Sequence, residues 1–411
     1  MKKSHNILFL LVSILLIPSC AQESRTKVLF VIVDGISSDI IEKVATPNLD
    51  AIAKEGGYTH AYVGGEKNGY SETPTISAVG YNSLLTGTWA NKHNVWGNSI
   101  KEPNYNYWTI FRYVKESNPD LKTAVYSTWL DNRTKLVGEG LAKTGNSNID
   151  YSYDGYEHDT ITFPHGDTRI YIHKIDEHIT KEAAKSIKRD APDLSWVYLE
   201  YTDDMGHQYG DSEQFHDAIK IMDKQIGKLR EAMAYRKEKH NENWEIYITT
   251  DHGRHASNGM GHGGQSDRER ATWIVTNAKD LNSYFMDETP GIIDIMPAML
   301  RSLHITPTTE QVYEMDGVPI TGKISVAKPT ASLHKGVLTI DWKSYVPDEN
   351  LKIYLATTNN FSEGKKDEYK LVAEVISKKG EARISLENTS IKLYKIVIEG
   401  KYNSVNTWVE Q

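Results

Sequence analysis

Three uninterrupted apolar runs constrain this chain's fold more than any other feature: "KVLFVIVDG" from Lys27, "LSWVYLEYTDD" from Leu194 and "WEIYITTD" from Trp244. None alternates polar with apolar residues, so each reads as a strand buried on both faces, as in the middle of a parallel sheet. "TAVYST" (123–128) and "ATWIVTN" (271–277) add two further candidates. Helical patterns separate the strands. In "TPNLDAIAKEG", Thr46 is placed as a cap, Pro47 stands in the first turn and Gly56 past the end. From about Ser212 to Tyr235, Phe215, Ile219, Met222, Ile226, Leu229 and Met233 form the stripe of a helix facing a core. This alternation predicts a doubly wound α/β domain with a mostly parallel sheet over about residues 25–323.

After "GVPITGK" the texture changes. "VLTIDW", "LKIYLATT", "KLVAEVI", "ARISL", "YKIVIEG" and "NTWVE" are short strand candidates with turn residues between them, and helical periodicity is absent. They predict a small all-β sandwich over about 326–411. The stretch resembles a fibronectin type III module, chiefly in "YKIVIEGKYNS".

At the other end, Lys2 and Lys3 precede an apolar run from Ile7 to Ile17, which is the pattern of a secretion signal and too short for a stable membrane span. "LIPSC" resembles a bacterial lipobox, which implies a signal over residues 1–20 and a lipid on Cys20. The alternative is a plain cleaved signal with a stray cysteine. The lipoprotein reading places the chain in the periplasm or at the outer membrane or cell surface, held by that lipid alone. Cys20 is the only cysteine, so no intramolecular disulfide exists. A formal net charge of -8 argues against a general nucleic-acid binder.

The three long runs end in acids: Asp34, Asp203 and Asp251, the last two with His207 and His252 close by. At one edge of a parallel sheet such residues converge on a crevice. Singly each has a plainer reading: Asp34 before Gly35 suits a turn, and "DDMGH" a polar surface loop. The stretch "TTDHGRHASNGMGHGGQSD" is harder to dismiss, because its glycines permit close approach to a bound group and add nothing to a core. Mixed carboxylate and imidazole donors suit zinc or another divalent transition metal.

Taken in order, "VIVDG", "TPNLDAIAKEG", "PTISAVGYNSLLTG", "NVWGNS", "YTDDMGHQYG", "TTDHG" and "GHGGQSD" resemble the alkaline phosphatase superfamily, and most closely its nucleotide pyrophosphatase/phosphodiesterase branch. The resemblance implies two zinc ions, one held by Asp34, Asp251 and His252, the other by Asp203, His207 and His262. His262 follows "DHG" more closely than is usual in that branch, which leaves His255 as its competitor. The family nucleophile lies ten residues before the glycine of "TG", and counting back from Gly87 gives Ser77, with Thr75 as runner-up. Zinc coordination can activate a serine hydroxyl that is barely ionised at neutral pH.

Asn98 falls where the branch places an amide donor to a non-bridging phosphate oxygen, which suits a diester. Arg133 and Lys135 are candidates for the cationic clamp that a phosphomonoester would reward. Tyr153 and Tyr156 are candidates to stack on a base, or are packing within their loop. The implied activity is hydrolysis of phosphodiester or nucleotide pyrophosphate bonds in a small phosphorylated substrate, through a covalent phosphoseryl intermediate. A phosphomonoesterase on the same site is the first alternative, and a non-catalytic surface binding protein the second. A cysteine-type sulfatase is excluded, since no Cys lies near Ser77.

Overall fold

A computed structural model describes residues 26–386 and 391–411, so the signal-like segment and Cys20 lie outside the described residues. Seven strands form one sheet: β1 (Lys27–Val33), β2 (Gly57–Tyr62), β3 (Thr123–Ser127), β4 (Tyr151–Tyr153), β5 (Leu194–Leu199), β6 (Trp244–Thr249) and β7 (Ala271–Thr276). Their order is β2-β7-β6-β1-β5-β3-β4. β6, β1, β5, β3 and β4 pair in parallel, whereas β7 runs antiparallel to β6 and β2 antiparallel to β7. β1 lies mid-sheet, and its side chains point alternately into two separate cores, Val28, Phe30 and Ile32 into one and Leu29, Val31 and Val33 into the other. Burial on both faces is the physical reason its sequence shows no alternation.

The predicted stripe lies on one long helix, Glu213–His240, with Phe215, Ile219, Met222, Ile226, Leu229 and Met233 all buried. Ser212 caps it by accepting from the Phe215 N–H. The shorter helix Pro47–Glu55 starts and stops where expected, but Thr46 makes no side-chain capping bond. The free N–H groups of that first turn are taken by Asp223 of the long helix, which accepts from Asn48 N at 3.1 Å and Leu49 N at 2.9 Å. A tertiary carboxylate has replaced the local cap. The third apolar run also differs from expectation: β5 stops at Leu199, and "YTDDMGHQY" forms the helix Tyr201–Tyr209.

The C-terminal strands β8 (Val326–His334), β9 (Val337–Ser344), β10 (Asn350–Ala356), β11 (Lys370–Ile376), β12 (Glu381–Ser385), β13 (Leu393–Glu399) and β14 (Ser404–Glu410) form two antiparallel sheets, β12-β9-β8 and β11-β10-β13-β14. Ile320 and Ile324 share one apolar cluster with Val326, Leu338 and Ile396, so the sandwich is fused to the α/β part through a common core. Beside that seam Lys92 and Lys395 are buried over the Trp408 ring, Lys92 paired with Asp316 and Lys395 with Glu314 and Asp367. No helix among the described residues is long and apolar enough to cross a membrane.

Candidate active site

The parallel strands deliver their C-terminal residues to one edge, where β1 is followed by Asp34 and β6 by Asp251 and His252. Asp34 Oδ2 accepts hydrogen bonds from the Tyr198 hydroxyl at 2.7 Å and from Tyr81, while Asp34 Oδ1 is buried without a partner. Asp251 Oδ1 accepts from the Gly35 N–H at 3.1 Å, and Asp251 Oδ2 is likewise buried and unpartnered. Gly35 has φ +68°, and a Cβ there would stand 2.5 Å from Asp203 Oδ1, so only glycine suits this turn. Asp203 and His207 lie four residues apart on the helix after β5, hence on one face of it. Their side chains meet with His207 Nε2 3.2 Å from Asp203 Oδ2.

His262 completes the cluster from the glycine-rich loop, with its Nε2 3.1 Å from His207 Nε2 and its ring stacked on His252 at 3.6 Å. Its Nδ1 lies 2.9 Å from the Thr75 carbonyl, and His252 Nδ1 lies 2.9 Å from the Gly253 carbonyl. A carbonyl can only accept, so both Nδ1 atoms carry protons and both Nε2 atoms face inward as the atoms free to meet a ligand. His252 Nε2 thereby faces Asp34 Oδ1 and Asp251 Oδ2, each at 3.3 Å. Two buried carboxylate oxygens with no hydrogen-bond partner beside imidazole nitrogens form a donor set that fits a divalent cation. Donor atoms of Asp203, His207 and His262 lie within 4.8 Å of one another, as do those of Asp34, Asp203 and His252. Five of the six residues implied by the resemblance fall in these groups, with Asp203 common to both, and Asp251 stands beside them through His252. His255 is apart from them and pairs with Glu269 at 3.2 Å.

The close carboxylates shift the protonation of their neighbours. Burial and then the neighbouring Asp34 carboxylate push the Asp251 carboxyl well above its ordinary range. Burial works against the proton on His252, but the carboxylates of Asp251, Asp34 and Asp203 outweigh it and raise the imidazole to about 9. A hydrogen bond to Asp203 raises His207 as well. Each of these folded values exceeds its unfolded counterpart, so between about pH 6.5 and 9 the folded state holds protons that the unfolded chain releases. The stability of chelated protein is therefore expected to fall as pH rises through that window, and zinc to flatten the dependence. Thermal melts across the range, with and without zinc, measure this.

Ser77 opens the helix Ser77–Thr86 and is almost fully buried, with its Oγ 3.4 Å from His252 Nε2. Thr75 is engaged elsewhere, accepting from Gly263 N at 3.0 Å and donating to the Gly264 carbonyl at 2.8 Å. Asn98 Oδ1 accepts from the Ala78 N–H at 3.0 Å, which fixes its amide beside Ser77 and leaves its NH2 group as a donor. The same helix approaches the Asp251 backbone through Gly80, where a Cβ would lie 2.7 Å from the Asp251 carbonyl oxygen. Gly80→Ala is expected to displace Asp251 and weaken metal retention by about 10- to 100-fold, as loss of a supporting group does. Metal content after dialysis against graded chelator checks this.

Four sequence candidates are not brought to the cluster. Arg133 is saturated by Asp154, at 2.6 and 2.8 Å, and by Glu139. Lys135 pairs with Asp131. Tyr153 stacks on Tyr126, and Tyr156 packs edge-on against Phe163 and His178, so both rings are occupied by packing. Conversely, sequence reasoning missed Tyr81, Tyr198 and Arg254. Arg254 is fully buried and its guanidinium pairs with Asp203 Oδ1 at 2.6 Å. Its signal was adjacency to "DHG", and nothing in the sequence marks the two tyrosines.

A family model described as type I phosphodiesterase / nucleotide pyrophosphatase matches residues 28–284. Among curated proteins, ectonucleotide pyrophosphatase/phosphodiesterase family member 7 of Mus musculus is 24% identical over 310 residues, covering 71% of this chain and 63% of that protein. Bis(5'-adenosyl)-triphosphatase enpp4 of Xenopus laevis is 24% identical over 235 residues, covering 56% of this chain and 47% of that protein. The chain thus spans less than two thirds of the length of these relatives. The solved structure of Ps i-CgsB in complex with k-i-k-neocarrahexaose shares the fold, with a TM-score of 0.51 at 15% identity over 78% of this chain and 82% of that one. The family match covers well over half of the chain and contains every residue of the cluster, and the chain belongs to the type I phosphodiesterase / nucleotide pyrophosphatase family of the alkaline phosphatase superfamily.

Proposed function

We propose that this chain is a two-zinc hydrolase of phosphodiester or nucleotide pyrophosphate bonds that works through a phosphoseryl intermediate. The observation that carries the reading is the convergence of three aspartates and three histidines beside a buried serine, with two carboxylate oxygens left unpartnered. Asp34, Asp251 and His252 would hold one ion and Asp203, His207 and His262 the other, with Asp203 near enough to serve both. Zinc bound there supplies Lewis acidity, which lowers the pKa of the serine hydroxyl and offsets negative charge on the attacking and leaving oxygens.

In the first step a bond forms from Ser77 Oγ to phosphorus as the bond to the leaving oxygen breaks, and the serine proton ends on the departing group. Water then attacks phosphorus, breaks the Ser77 Oγ–P bond and restores the hydroxyl. Asn98 donates its amide N–H to a non-bridging oxygen, and Tyr81 and Tyr198 hold Asp34 in place. A neutral donor at this position supports a diester, as does Arg133, whose guanidinium is already tied to Asp154 and Glu139. The test is a zinc-loaded assay with a nitrophenyl nucleotide diester, a nitrophenyl monoester and a nitrophenyl sulfate. The diester is expected to be turned over fastest. A faster monoester moves the reading to a phosphomonoesterase, and no turnover of any of the three leaves a binding protein.

Export as a lipoprotein belongs to the same reading, supported by "LIPSC" and the apolar run before it. Cys20→Ser is expected to release the protein from the membrane fraction while leaving hydrolysis unchanged. Continued partition with membranes refutes lipid attachment.

A further inference from the structure

Strand β1 joins two opposite edges of the sheet. Its last residue is followed by Asp34 of the aspartate and histidine cluster, whereas its first, Lys27, is pinned at the other edge. There the Lys27 N–H donates to the Asn243 carbonyl at 2.9 Å, its ammonium pairs with Asp193 at 2.8 Å, and the Asn243 amide donates to the Thr26 hydroxyl at 2.9 Å. Asp193 and Asn243 directly precede β5 and β6, which run parallel to β1 and so start at that same edge. The chain between Cys20 and Thr26 therefore joins the fold at a fixed point on the edge away from the cluster.

Cys20 and Lys27 are seven residue steps apart. Even fully extended, such a tether reaches no farther than ~25 Å. Running the length of β1 to the level of Asp34 already takes ~23 Å at the rise of a strand. The direct path is also closed, because β1 lies between β6 and β5 and helices cover both faces of the sheet, with Phe111 and Met299 on one and Ile179 and Ile226 on the other. A detour round a helix adds its diameter of ~10 Å, which exceeds the reach of the tether. We infer that the edge carrying Lys27, Asp193 and Asn243 rests against the bilayer and the cluster opens away from it, so that the substrate is a water-soluble phosphodiester and not a headgroup of the membrane that carries the enzyme. This rests on the lipoprotein and hydrolase readings above.

The test uses the full lipidated chain on phosphatidylcholine vesicles, with a fluorophore on one introduced cysteine, Cys20 being taken by its lipid. Lys239→Cys places the label on the exposed last turn of Glu213–His240, close to Asn243, and Met260→Cys places it on the exposed loop two residues before His262. With a nitroxide on the lipid headgroups, which quenches on contact, the label at 239 is expected to lose most of its emission and the label at 260 to keep it. On the same vesicles a soluble nitrophenyl nucleotide diester is expected to be hydrolysed, with no headgroup released from the carrier lipid. Quenching at 260 equal to or stronger than at 239, or headgroup release from the carrier lipid, overturns the inference. Quenching at 239 alone without hydrolysis of the soluble diester sinks the catalytic reading and leaves the orientation standing. Unaltered protein that stays off the vesicles refutes lipid attachment, and the orientation with it.

Discussion

Stripping metal with a chelator is expected to abolish hydrolysis, and zinc to restore it. The reason lies in Asp34 Oδ1 and Asp251 Oδ2, two buried carboxylate oxygens with no hydrogen-bond partner. Desolvating such oxygens is costly unless a cation is close. Individual ligands are expected to differ from their neighbours in the same loop. Asp251→Ala removes an oxygen 3.3 Å from His252 Nε2, and His207→Ala removes an imidazole 3.2 Å from Asp203. Each is expected to lower activity well beyond the roughly 10- to 100-fold that loss of a supporting group costs. His255→Ala, by contrast, breaks only a half-exposed pairing with Glu269 and is expected to stay near the unaltered rate. Rates and metal stoichiometry of the three variants decide this. Full activity in metal-free protein ends the two-metal reading, and a dead His255 variant beside a normal His262 variant reverses the assignment in that loop.

The sequence made the clustered acids and histidines legible because parallel strands write two facts at once: an unbroken apolar run for the buried strand, and a polar residue where the strand leaves the sheet. Asp34 and Asp251 follow that rule. Asp203 breaks it, since β5 stops at Leu199 and the acid rides on the next helix. The i, i+4 spacing of Asp203 and His207 is itself the helical signature, hidden by a composition that reads as loop. Strand β2, "GYTHAY", escaped notice because at the sheet edge it carries half-exposed residues and no apolar run. Arg133 was misleading for an electrostatic reason: a lone cation in sequence gives no hint of Asp154, twenty-one residues away, which takes its guanidinium. Arg254 escaped in the opposite way, because buried arginines are rare and its partner Asp203 lies fifty-one residues earlier.

Ser77→Ala is expected to remove the covalent intermediate and lower turnover by at least about 1000-fold, with both metals retained. Metal retention is expected from geometry, because Ser77 Oγ lies beside His252 Nε2 while the aspartates and histidines offer the atoms that would hold the ions. Thr75→Ala has a different expected outcome. The Thr75 hydroxyl holds Gly263 N and the Gly264 carbonyl, and its backbone carbonyl takes the proton of His262 Nδ1. Removing the hydroxyl loosens the loop that carries His262, so that variant is expected to release metal more readily and to recover its rate when zinc is in excess. Ser77→Ala is not expected to recover at any zinc concentration, which separates a nucleophile from a supporting residue. Trapping the phosphoenzyme and sequencing the modified peptide by mass spectrometry places the phosphate directly. Phosphate on Thr75, or a Ser77→Ala enzyme of normal rate, removes Ser77 from the mechanism and gives the attacking hydroxyl to another group.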